Sequence, residues 1–78
     1  MMNTPATQSL DARGMNCPLP ILRTKKALSA LSTGDTLAII STDPGSVKDM
    51  QSFCNQTGNE LVSTNANQGE FVFLIRKS

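Results

Sequence analysis

The run Thr36-Leu37-Ala38-Ile39-Ile40-Ser41-Thr42 is strand-sized, rich in β-branched residues and apolar at consecutive positions. Side chains of a strand alternate between two faces, so Leu37 and Ile39 fall on one side and Ala38 and Ile40 on the other. Only a two-sided setting uses apolar groups on both faces, and the run is therefore the best candidate for the central strand of a sheet. The rest of the chain has to supply the neighbouring strands and a layer that covers them.

Three further segments read as strands. Gln8 to Arg13 alternates around Leu10 and Ala12 before Gly14 ends it. Glu60 to Asn65 begins with Leu61 and Val62 and continues in polar β-formers. Glu70 to Lys77 is the clearest of the three, with Phe71, Phe73 and Ile75 on one face and Val72 and Leu74 on the other. Asn67-Gln68-Gly69 between the last two is turn chemistry.

Two segments read as helices. Pro18 to Leu31 puts Ile21, Leu28 and Leu31 on one side with Leu22 beside them, while Arg23, Lys26 and Ser29 face away. Gly34-Asp35 stops it. Asp43-Pro44-Gly45-Ser46 opens the second, with two readings of its start: Asp43 as N-cap ahead of Pro44, or Ser46 as N-cap with Asp49 completing a capping box. The helix runs to Thr57 with Gly58 as its stop, and Val47, Met50, Phe53, Cys54 and Thr57 form its buried stripe. The order β-α-β-α-β-β predicts an α/β (α+β) two-layer sandwich, with two helices on one face of a four-stranded mixed sheet. One sheet face then keeps apolar groups that no helix covers. Residues 1–7, small and polar around Pro5, read as a flexible N-terminal tail, and 8–78 as a single domain.

The chemistry is bounded by what the 78 residues lack. There is no histidine, so neither a Cys–His nucleophile pair nor the usual histidine general base can be assembled from this chain. Two cysteines are too few for a disulfide scaffold or a tetrahedral zinc site, and no metal is expected. Seven basic against six acidic residues, with three Phe and no Trp or Tyr, supply neither a strong field nor a stacking platform for nucleic acid. Direct nucleic-acid binding is not expected. No stretch is long and apolar enough for a bilayer and the first residues lack the pattern of a signal peptide, so a cytoplasmic location and no membrane partner are the expectation.

Against that background Met15-Asn16-Cys17-Pro18-Leu19-Pro20 stands out. Proline lacks an N–H and suits the first turn of a helix, where N–H groups have no intrahelical partner. With Pro18 as the first helical residue, Cys17 becomes the N-cap, its sulfur near the positive end of the helix dipole. Pro18 and Pro20 delete two donors, leaving the N–H groups of Leu19 and Ile21 for an anionic sulfur. Such a setting favours thiolate over thiol, and Arg23, Lys25 and Lys26 follow closely. Pro20 also biases Leu19 away from α geometry, so the first turn is expected to be irregular. Cys17 is the candidate nucleophile. Met15 is read as packing at the base of the loop or as part of the thiol's pocket. Arg23, Lys25 and Lys26 are either a solvated helix face or a docking patch for acidic partner surfaces or an RNA backbone. Cys54, four residues after Met50 and seven after Val47, is read as a core thiol, and Asp43 as a cap.

Leu10-Asp11-Ala12-Arg13-Gly14-Met15-Asn16-Cys17-Pro18-Leu19-Pro20 resembles the signature of the TusA/SirA/YedF family of small sulfur-carrier proteins. The likeness continues through Lys25-Lys26-Ala27-Leu28, Gly34-Asp35, Thr42-Asp43-Pro44 and Gly58-Asn59-Glu60-Leu61, and so covers nearly all of the chain from Leu10. Met15 stands where leucine is common in the family and Asn59 where histidine often precedes the Glu-Leu. The resemblance implies a sulfurtransferase that carries sulfane sulfur as a persulfide on the cysteine matching Cys17. A cysteine desulfurase or rhodanese-like protein is the implied donor and a second protein the acceptor, in some members toward tRNA 2-thiouridine. That chemistry needs no organic cofactor. Two other readings stay open on the residues: a non-enzymatic interaction or regulatory module, and a thiol redox protein pairing Cys17 with Cys54.

Overall fold

The computed structural model describes residues 6–16 and 18–78. Six elements follow one another: β1 (Gln8–Ala12), α1 (Leu19–Ser29), β2 (Thr36–Ser41), α2 (Ser46–Thr57), β3 (Glu60–Asn67) and β4 (Glu70–Arg76). The sheet order is β1-β2-β4-β3. β2 pairs in parallel with β1 and antiparallel with β4, and β4 pairs antiparallel with β3. The expected order and mixed sheet are both present, and the doubly apolar strand β2 has neighbours on both edges.

Both helices pack on one face of this sheet. The layer between them holds Ala12, Leu28, Leu37, Ile39, Met50, Phe53, Cys54, Phe73 and Ile75. Leu37 and Ile39 from β2, Met50 from α2, and Phe73 and Ile75 from β4 are fully buried. On the opposite face the pairs Ile40–Val72 and Ala38–Leu74 lie side by side without a covering helix. A shallow trough of about 350 Å³ crosses this open face and is bounded by Ser9, Asp11 and Arg13 on the β1 side.

Several element ends differ from the sequence reading, each for a local reason. β1 stops at Ala12 because the Asp11 carboxylate accepts the Arg13 N–H at 3.0 Å and turns the chain. α1 ends at Ser29 rather than Leu31: Ala30 and Leu31 donate to the carbonyls three residues back, Ala27 and Leu28, which tightens the last turn. Leu31 stays buried even so. Leu22, placed beside the buried stripe, is 55 % exposed, and the inward position is taken by Thr24. The Thr24 hydroxyl donates to the Pro20 carbonyl at 2.8 Å, which makes a buried polar group tolerable.

Neither reading of the α2 start holds. Gly45 is the N-cap, with no side chain capping the helix. Asp43 instead folds the connection ahead of it. Its Oδ1 accepts the Gly45 N–H at 3.1 Å, and its carbonyl accepts both the Ser46 N–H at 3.0 Å and the Ser46 hydroxyl at 2.6 Å. Ser46 is buried as a result. Thr57, assigned to the buried stripe, is exposed. Gly58 does close the helix, with φ 79° and its N–H on the Cys54 carbonyl at 2.9 Å. β3 extends to Asn67, and the β3–β4 turn is two residues, Gln68 and Gly69, both at positive φ. Thr7 and Thr36 exchange two hydrogen bonds of 3.1 Å at the start of the sheet.

Candidate functional site

The sequence points to the connection between β1 and α1. Cys17 lies outside the described residues, and its surroundings are defined by the segments on either side. Upstream, the chain leaves β1 in a closed turn: Met15 returns its N–H to the Ala12 carbonyl at 3.2 Å, with Gly14 at φ 78°. A residue with a Cβ would be strained there although space is open around it. The Gly14 N–H is held by the Thr42 hydroxyl at 2.9 Å, from the end of β2. Met15 is half-buried and packs against the core.

Downstream, the cap position of α1 falls on Pro18 rather than on Cys17. Pro20 occupies the second helical position, so neither proline is asked for an intrahelical N–H. The irregular residue is Pro18, at φ −97° and ψ 15°; Leu19 is already helical. The Leu19 N–H donates to the Asn16 carbonyl at 2.9 Å. It is therefore engaged by the backbone and is not one of the donors expected for an anionic sulfur. α1 has no acidic residue in its first turn, so the partial positive charge of this end is not offset locally.

The remaining residues singled out in the sequence separate by exposure. Pro20 is buried under the helix, whereas Pro18 and Leu19 are exposed, Leu19 by 48 %. Arg23, Lys25 and Lys26 are all exposed, and Leu19, Leu22, Arg23 and Lys26 share one outward side of α1. Sequence periodicity missed this apolar and basic strip because it counted Leu22 with the core. It also missed a groove of about 220 Å³ between the helices, floored by Pro18, Ile21 and Phe53 and edged by Asp49, Ser52 and Gln56. Only the tertiary pairing of α1 with α2 creates it. Cys54 is a free cysteine, 4 % exposed, and burial pushes its thiol pKa up, which disfavours the reactive thiolate.

Charge on the approach to Cys17 is tied into an exposed ion-pair cluster. Arg13 grips the Asp11 carboxylate through Nε at 3.0 Å and Nη2 at 2.8 Å, and reaches Glu70 at 3.6 Å. The Arg13 guanidinium, first through its hydrogen bonds, lowers the Asp11 pKa to about 2. Among the described residues no three Cys, Asp or Glu side chains converge to hold a metal ion, and no helix is long and apolar enough to cross a membrane.

The described residues form a small two-layer α/β domain, with a glycine turn after β1 and a proline-started helix α1 on either side of Cys17 in the sequence. Comparison with known proteins gives this domain a family. The family model described as Sulfurtransferase TusA matches residues 8–77, and the chain belongs to the TusA family. It is 61 % identical to the sulfur carrier protein TusA of Allochromatium vinosum over 71 residues, covering 91 % of this chain and 93 % of that one. It is 40 % identical to the sulfur carrier protein TusA of Pseudomonas putida, covering 87 % and 85 %. Among solved structures, a SirA-like protein from Desulfitobacterium hafniense superposes with a TM-score of 0.80 at 25 % identity, covering 90 % of this chain and 96 % of that one. The expected family and fold are thus both found.

Proposed function

We propose that this chain is a persulfide relay in which Cys17 is the carrying residue. The observation that carries the reading is the 61 % identity to a named sulfur carrier over almost the whole chain. It is supported by a site built for thiolate chemistry without histidine: an α1 N-terminus free of acidic residues and a basic, exposed first helix.

The Cys17 thiolate attacks the outer sulfur of a donor persulfide. A new S–S bond forms to Cys17, the donor's S–S bond breaks, and the donor leaves as its thiolate. In the second step an acceptor cysteine thiolate attacks the outer sulfur carried by Cys17, and Cys17 departs as thiolate. Lowering the Cys17 pKa makes it a better leaving group in that step. The donor is a cysteine desulfurase or a rhodanese-like protein, the acceptor a second carrier or modifying protein, and tRNA 2-thiouridine formation one destination. Leu19, Leu22, Arg23 and Lys26 form the docking strip, with Lys25 exposed beside it, suited to a partner with an apolar contact and acidic neighbours. The setting is a reducing cytoplasm. Burial of Cys54 supports the relay over a Cys17–Cys54 redox pair, because attack on Cys54 requires the helix layer to open.

Incubation with a cysteine desulfurase and L-cysteine, followed by intact-mass spectrometry and peptide mapping, tests the assignment. The expected result is a reductant-labile gain of sulfur on the peptide containing Cys17, lost in Cys17→Ser and retained in Cys54→Ala. Sulfur uptake by Cys17→Ser would remove the assignment, and failure of the wild type to load from any donor would favour the interaction-module reading.

A further inference from the structure

We propose that Thr42 is a positioning residue for sulfur transfer: by accepting the Gly14 N–H, its hydroxyl holds the segment leading into Cys17 against the end of the central strand. This inference rests on Cys17 as the carrying residue.

The argument starts from where the backbone donors of the segment go. Arg13 donates to Asp11 Oδ1 at 3.0 Å and Met15 to the Ala12 carbonyl at 3.2 Å, both within three residues. Those two bonds shape the turn but do not place it. The Gly14 N–H reaches Thr42 Oγ1 at 2.9 Å, 28 residues away, and is the one hydrogen bond from the described backbone of residues 13–15 to another element. The Arg13–Glu70 ion pair also spans the distance. At 3.6 Å between half-exposed, flexible side chains it constrains position weakly.

Thr42 is itself well anchored. It follows Ser41, the fully buried last residue of β2. Beyond it, Asp43 donates its N–H to Ser41 Oγ at 3.2 Å, and the Asp43 carbonyl and carboxylate fold the chain into α2. The hydroxyl therefore transmits the position of the central strand to a glycine whose backbone has no side chain to restrain it. Persulfide transfer is an in-line displacement between two sulfurs held on two proteins. Its rate depends on the carrier sulfur being presented in one place, and misplacement by an ångström is costly.

Thr42→Val keeps the shape and removes the acceptor, whereas Thr42→Ser keeps the acceptor. Single-turnover uptake from a cysteine desulfurase charged with L-cysteine, read by intact mass, is measured for these two variants and the wild type, together with amide hydrogen exchange. In Thr42→Val the uptake rate at saturating donor is expected to fall about fivefold or more while the half-saturating donor concentration holds. The Gly14 amide should exchange about tenfold faster with β2 and β4 amides unchanged, and Thr42→Ser should stay within about twofold of the wild type on both measures. Equal uptake by the wild type and Thr42→Val overturns the proposal and leaves Cys17 as the carrier. So does an unprotected Gly14 amide in the wild type, or a defect that Ser does not rescue or that comes with loss of β2 and β4 protection. A wild type that takes up no sulfur overturns the carrier reading and the positioning role together.

Discussion

The two helices lie side by side on the same sheet and begin in opposite ways. α2 starts from a connection in which a buried serine hydroxyl, two backbone N–H groups and the Asp43 carboxylate and carbonyl are all satisfied within four residues. Neither helix has a capping side chain, but α1 starts from Pro18, exposes Leu19 and Leu22, and is approached through a turn whose charges lie in solvent. α2 is finished against the fold. α1 leaves Leu19 and Leu22 exposed near its start, and it is the helix that follows Cys17 in the sequence.

The contrast can be broken at the point where the helices meet. Met50 of α2 is fully buried and its sulfur lies 3.9 Å from the Thr24 hydroxyl of α1. Met50→Ala leaves a cavity between the helices and is expected to lower unfolding free energy by about 3 kcal/mol, seen as a lower denaturant midpoint at unchanged slope. Removing one part of the α2 start should matter less. Ser46→Ala deletes the hydroxyl bond to Asp43, and a loss of about 1 kcal/mol is expected with sulfur uptake retained.

The open helix start should show the reverse pattern. Leu22→Ser removes an exposed apolar side chain, so stability should change by less than about 0.5 kcal/mol. Uptake from a desulfurase is expected to slow about fivefold, equivalent to about 1 kcal/mol of lost contact. A Leu22→Ser chain that loads at the wild-type rate would separate Leu22 from the docking strip.

The smallest effect concerns acid. Asp11 has a pKa of about 2 in the folded chain against 3.8 for the free group, because Arg13 favours its charged form. A carboxylate whose pKa is lowered by folding adds stability above its unfolded value, and that contribution disappears as pH falls through the folded one. Wild type should therefore lose stability between pH 3.8 and about 2 slightly faster than Asp11→Asn. The pair is solvent-exposed, so the difference should vanish in about 1 M salt. Urea midpoints across that window, at low and high salt, make the measurement.

The periodicities were enough to place all six elements, and the doubly apolar pattern of β2 was enough to place that strand in the centre. These signals are local, and strand alternation survives whatever packs on it. The ends were less legible. The starts of both helices hinge on which side chain or carbonyl captures an orphan N–H, and at Leu19 and Ser46 the winner was a backbone carbonyl contributed by the connecting loop. Leu22, counted beside the core, is exposed while Thr24 is buried, because a helical stripe fixes which residues share a side, whereas the neighbouring helix decides how wide the buried side is.

By itself, then, the sequence determined the strand and helix order and the family, since both depend on residue type and spacing along the chain. The groove beside Pro18, the outward strip on α1 and the bond from Gly14 to Thr42 were decided only by tertiary structure. Each joins residues that are adjacent only after β2 has paired and the helices have packed. No pattern within one element encodes the distance between two.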